Sequence, residues 1–95
     1  MDEKDIREVL EKVMHPEIDA SLMELGMIKD IVVQGNNVSM TMAFPFQGVP
    51  IKDMLMESVE EPLKKLGLHV EIKTAVMNQD ELQKFFQMEQ EKWKA

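Results

Sequence analysis

Met27-Ile28-Lys29-Asp30-Ile31-Val32-Val33-Gln34-Gly35-Asn36-Asn37-Val38-Ser39-Met40-Thr41-Met42-Ala43-Phe44 is two runs of strand-forming residues joined by three that tolerate positive φ. Met27 to Gln34 is rich in β-branched side chains and opens a hairpin; Val38 to Phe44 is its return strand. In that strand Val38, Met40, Met42 and Phe44 alternate with Ser39, Thr41 and Ala43, so the first set faces a core and the second faces away.

Toward the N-terminus, Ile6, Val9, Leu10 and Val13 recur at helical spacing and predict a helix from Asp2 to Met14, stopped by Pro16. Ser21-Leu22-Met23-Glu24 has capping-box spacing, so Ser21 caps one short turn that closes near Gly26. Toward the C-terminus, Pro50 suits the first turn of a helix carrying Ile51, Met54, Leu55, Val59, Leu63 and Leu66 on one side and ending at Gly67. Pro62 lies inside it, lacks an N–H and crowds the Ser58 carbonyl, which predicts a kink or an early break. Leu68, Val70 and Ile72 alternate with His69, Glu71 and Lys73 in a third strand, which a helical crossover makes parallel to the second. Asn78 and Glu81 start a last helix whose Leu82, Phe85, Phe86 and Trp93 form an apolar stripe. The order α-β-β-α-β-α describes an α+β fold: a two-layer α/β arrangement with a small three-stranded mixed sheet, expected as a single domain over 1–95.

The charge of −7 repels phosphate backbones and anionic lipid, which disfavours nucleic-acid and membrane-surface roles. The chain has no cysteine, hence no disulfide and no thiolate ligand or nucleophile. Met1-Asp2-Glu3-Lys4-Asp5 is unlike a signal peptide and no apolar run approaches spanning length, so a cytoplasmic location is expected. Most of the ten methionines read as core, with Met40 and Met42 on one strand face and one of Met54 and Met56 exposed.

Few residues offer chemistry. His15 and Glu17 flank Pro16 and present an imidazole and a carboxylate to a metal or to proton transfer. Metal sites, however, take three or four converging ligands, and the other histidine, His69, falls on the polar face of a predicted strand. Glu17 is otherwise a loop carboxylate accepting backbone N–H bonds. Gly48 and Pro50 place a helix N-terminus where an anion could sit, or simply serve the turn. Phe44, Pro45, Phe46, Val49, Pro50 and Ile51 form the least polar loop, either a partner-binding patch or ordinary core. Trp93 packs down or anchors a dimer.

Taken in order, His15-Pro16-Glu17, then Ser21-Leu22-Met23-Glu24-Leu25-Gly26-Met27-Ile28, then Gly48-Val49-Pro50 opening a helix, resemble the SufT/PaaD-like iron–sulfur assembly domains, which also occur at the N-terminus of Mrp-type ATPases. The resemblance spans Ile6 to Thr74. That family's pattern runs Asp-Pro-Glu, later two threonines, then Pro-Gly-Cys-Pro at the mouth of the second main helix. Here His15 stands at the aspartate, Pro45 and Phe46 at the threonines, Gln47 at the first proline and Val49 at the cysteine; Glu17, Gly48 and Pro50 match.

The resemblance implies a role in maturing iron–sulfur proteins and ties the cysteine to cluster or metal handling. Valine cannot take that part, because an isopropyl group is neither charged nor nucleophilic. The expectation is a protein that is not an enzyme and holds no cofactor: an adaptor contacting an assembly factor, an ATPase or a client through Phe46, Gly48, Val49 and Pro50. A homo-oligomer is compatible with it. The alternatives are a metal carrier or enzyme using His15 and Glu17, and a structural partner of a separate Mrp-type ATPase.

Overall fold

The computed structural model describes residues 1–94. The first helix, α1 (Glu3–Leu10), begins on Asp2, whose carboxylate accepts from the Asp5 amide while Asp5 accepts from the Asp2 amide. It buries Ile6 and Leu10 and then stops, four residues short of the expected Met14. Pro16 alone does not explain this. The His15 amide donates to the Ala20 carbonyl and the Leu22 amide to the Val13 carbonyl, both at 3.0 Å, and Met14 bridges Ser21. Pairing with residues 20–22 therefore holds residues 13–15 extended, and the helix ends where that pairing begins.

The Ser21 turn forms as its spacing predicts. The Glu24 amide donates to Ser21 Oγ and the Ser21 amide to Glu24 Oε1, each at 3.0 Å. The turn closes on Gly26 at φ +73°, with Met27 and Gly26 amides donating to the Leu22 and Met23 carbonyls, the two bonds of a Schellman motif. A Cβ at Gly26 would meet nothing within 4 Å, so only the left-handed backbone opposes a side chain. Gly26→Ala is accordingly expected to cost about 1 kcal/mol in urea unfolding, with an unchanged slope.

Strands β1 (Ile28–Gln34), β2 (Asn37–Phe44) and β3 (His69–Val76) form one sheet in the order β1-β2-β3. β1 runs antiparallel to β2, and β3 runs parallel to it through eight consecutive register pairs, from Asn37 with His69 to Phe44 with Val76. Two helices follow β2 and β3 respectively: α2 (Lys52–Lys65) and α3 (Gln79–Lys92). Val38, Met40, Met42 and Phe44 join Ile6 and Leu10 of α1 and Leu55, Val59 and Leu63 of α2 in one core. The mixed α+β arrangement of the sequence reading is the one found.

Several details differ. Between Lys29 and Val32 the register slips, so that Asp30 and Ile31 oppose Met40 alone, and Asp30 sits at φ +55°. This bulge lets both Ile28 and Ile31 be buried, three positions apart, where a regular strand would turn one of them outward. Asp30→Gly relieves the positive φ and is expected to add about 0.5–1 kcal/mol of stability, whereas Asp30→Val subtracts at least as much; thermal unfolding reads both. Ala43, expected on the outer face, is fully buried. On that same face Lys29 pairs in register with Thr41, and its ammonium meets Glu81 of α3 at 3.1 Å.

α2 starts at Lys52, leaving Pro50 in the preceding turn and not in the first turn of the helix. It runs through Pro62 to Lys65 without a break. Pro62 lies in the final turn, where buried Val59 and Leu63 anchor both sides of the one lost hydrogen bond. Met54 is exposed while Met56 packs partly against the core, so one of that pair is exposed as expected; Leu66 is exposed because it is the C-cap, past the last turn that holds Leu63 in the core. Of the methionines, Met27, Met40, Met42 and Met77 are buried, and Met23, Met56 and Met88 pack partly against the core.

Candidate functional site

The ladder that ends α1 delivers His15 to the interior, 6% exposed. Its Nδ1 accepts the Glu17 amide at 3.0 Å across Pro16, closing the turn as an aspartate carboxylate would. An accepting Nδ1 means a neutral ring with its proton on Nε2. Burial lowers the pKa of His15 below its ordinary 6.5, outweighing the upward pull of the Glu17 carboxylate, and Lys94 adds to the lowering.

The unfolded chain therefore takes up a proton at His15 as pH falls through 6.5, while the folded chain resists it. This contribution to stability is complete above that pH and is lost below it, as pH falls toward the lower folded value. Glu24 and Glu81, held down by their cap bonds to Ser21 and Asn78, lose their contributions in the same direction below 4.5. Denaturant titrations across this range are expected to show His15→Asn removing the upper part of the decline, since its amide oxygen accepts the Glu17 N–H without titrating.

The segment after His15 is held by the far end of the chain. The Asp19 amide donates to the Lys92 carbonyl at 2.7 Å, the Lys94 amide to the Glu17 carbonyl at 3.1 Å, and Ile18 bridges Trp93. α3 begins on a complete Asn78–Glu81 capping box and buries Phe85 beside Met27 and Leu55. It thus crosses the domain so that its last turn meets residues 17–19.

The loop between β2 and α2 lies against the same region. Gly48 turns at φ +75°, the Lys52 amide donates to the Val49 carbonyl at 3.1 Å, and Val49 packs half-buried on the core. Ile51 occupies the N-cap of α2 and no side chain caps it.

These segments enclose a cleft of about 320 Å³. Met27, Leu55, Ile51 and Phe85 form its floor; His15, Glu17, Pro45, Phe46, Val49, Pro50, Phe86, Glu89 and Trp93 line the rest. The two separate groups of candidates from the sequence, His15 with Glu17 and Phe46 with Val49 and Pro50, occupy one site. Gly48 does not line it; it borders a neighbouring depression with Lys52, Thr74 and Val76. Pro16, Leu25 and Gly26 shape the chain without lining the cleft, Leu25 by burial and Gly26 by its turn. Glu17 contributes its backbone amide to the turn and leaves its carboxylate exposed at the cleft, not accepting loop amides as expected.

Phe46, Phe86 and Trp93 are 54%, 45% and 52% exposed, so the mouth of the cleft is aromatic and wet while its floor is dry. Phe86 stands edge-on to Phe85, with ring centroids 6.1 Å apart. Sequence periodicity placed Phe86 and Trp93 in the apolar stripe of the last helix and left Trp93 either packed down or free to anchor a dimer; in the fold both are exposed and form a wall of the cleft. Their adjacency to His15 had no local signal, because it depends on where α3 ends.

Among the described residues no three His, Cys, Asp or Glu side chains gather as a metal set. His69 lies on β3, away from the cleft. What the arrangement offers is an apolar concavity with aromatic edges and two carboxylates, Glu17 and Glu89, a surface suited to another protein.

A helix-backed mixed sheet with a cleft at the mouth of its second helix is the class of domain defined here. Residues 3–74 match the family described as iron-sulfur cluster assembly protein, and the chain belongs to that family. An iron-sulfur cluster carrier protein from Synechocystis sp. is 36% identical over 58 residues, which is 61% of this chain but 16% of that protein. The chain thus corresponds to a small part of that relative's length. The crystal structure of a domain of unknown function, DUF59, from Bacillus anthracis aligns with a TM-score of 0.63 at 26% identity, covering 79% of this chain and 73% of that one. The family match ends before α3, so the aromatic wall of the cleft lies outside the matched span. Among the described residues no helix is long and apolar enough to cross a membrane.

Proposed function

We propose that this chain is a non-catalytic adaptor in iron–sulfur cluster assembly, binding an assembly factor, an ATPase or a client protein in the cleft between His15, Val49 and Trp93. The cluster is cargo held by the partner. The observation that carries this reading is Val49: at the position where the resembling domains have a thiol, an isopropyl group sits half-buried in an apolar cleft edged by exposed aromatic rings. Cluster iron takes thiolate ligands, and this chain has none. Exposed Phe and Trp around a dry concavity are what protein interfaces use as anchors.

The metal-carrier reading finds less support, since His15 spends Nδ1 on the Glu17 amide. Two measurements test the adaptor. Anaerobic reconstitution with iron and sulfide is expected to leave the isolated chain without stoichiometric cluster absorbance. A photo-cross-linking residue at position 46, used in a native extract, is expected to capture an iron–sulfur assembly component or client, with capture lost on Trp93→Ala. Stoichiometric cluster uptake, or capture indifferent to Trp93, would overturn the proposal.

A further inference from the structure

The two edges of the sheet are not alike. The β1 edge is broken by the bulge at Asp30, a feature that interrupts pairing with another strand. The β3 edge has eight residues in unbroken parallel register with β2 and, among the described residues, no strand beyond it. The direction of its free groups follows from two bonds at its ends. The His69 amide donates to the Asn36 carbonyl at 2.8 Å and the Met77 amide to the Phe44 carbonyl at 2.7 Å, both toward β2. Strand alternation then turns the amides and carbonyls of Val70, Ile72, Thr74 and Val76 outward, away from the sheet.

The side chains on this strand are complementary to themselves. An antiparallel copy centred on Ile72 sets Glu71 opposite Lys73 of the partner subunit, twice by symmetry. Both residues are exposed and neither forms an ion pair within its own chain among the described residues. The same register places Ile72 against its own copy, Val70 against Thr74 and His69 against Ala75, so no like charges meet. Shifting the centre to Glu71 or Lys73 would oppose identical charges, and moving further shortens the overlap. Ile72, as an outward-facing residue, forms the doubly hydrogen-bonded central pair that antiparallel strands require.

We infer that the chain forms a two-fold dimer by antiparallel pairing of β3 with β3 of a second copy, joining two three-stranded sheets into one of six strands. The cleft at His15 and Val49 is left open in each subunit. Because strand pairing buries less than a standard interface, association is expected in the micromolar range. Sedimentation equilibrium should therefore show mass rising with concentration from 11.0 kDa toward twice that value.

Glu71→Lys and Lys73→Glu are each expected to weaken the dimer about tenfold, since each replaces two attractive cross-strand pairs with two repulsive ones. The double exchange, Glu71→Lys with Lys73→Glu, is expected to restore it. Circular dichroism is expected to show the monomer still folded, since both positions are exposed. Amide exchange at Val70, Ile72 and Thr74 should slow as concentration rises. A chain that stays monomeric at high micromolar concentration would overturn the inference, as would a dimer indifferent to the charge exchange or one whose β3 amides remain unprotected.

Discussion

Replacing Phe85 with alanine is expected to lower the unfolding free energy by about 3–4 kcal/mol, the range for truncating a buried aromatic ring. Phe85 is 4% exposed and is the one buried residue of α3. The remaining ties of that helix are its ion pair from Glu81 to Lys29, half-buried Leu82 and Met88, and the backbone bonds of its end to residues 17–19. A partly exposed ion pair contributes at most about 1 kcal/mol. The ring is thus the main anchor of the wall that makes the cleft. Denaturant unfolding of Phe85→Ala beside Phe86→Ala checks the assignment, because the exposed ring should cost under about 1 kcal/mol. Similar losses from both would mean that α3 is not docked through Phe85.

Trp93→Ala is expected to weaken binding of the protein partner by about thirtyfold, corresponding to a hot-spot loss of roughly 2 kcal/mol. The indole is half exposed in the free chain, so its removal costs little stability, and the effect should appear in affinity alone. Its backbone bridge to Ile18 survives the change, which keeps α3 in place. Phe46→Ala, in the same cleft, should weaken the same complex, and the double variant should lose less than the sum if one partner side chain touches both. Titration calorimetry with the captured partner reads all three. Unaltered affinity in both single variants would remove the cleft as the binding surface.

The elements were largely legible along the chain, and for local reasons. Alternation of Val38, Met40, Met42 and Phe44 identified the central strand; the crossover through α2 made β3 parallel; Ser21 with Glu24, and Asn78 with Glu81, marked turns by spacing alone. The errors share a cause. α1 ended early because residues 13–15 pair with 20–22, and Ala43 is buried in the central strand, between the chain at Met27 and Ala75 of β3. The Asp30 bulge arose because Ile28 and Ile31 both had to reach the interior. In each case the deciding partner was distant or the constraint was set by packing, where periodicity carries no information.

The least polar loop shows the same division. Residue identity was enough to say that Val49 cannot bind a cluster, because that depends on the chemistry of one side chain. Whether Phe46 was core or surface depended on what lay above it, and the fold leaves it exposed in the cleft that Trp93 also lines. By itself, then, the sequence determined the strands, the turns and the missing thiol, all properties of residues and near neighbours. Only the tertiary structure decided that His15, Val49 and Trp93 form one site, because the return of α3 to residues 17–19 rests on contacts between segments far apart in the chain.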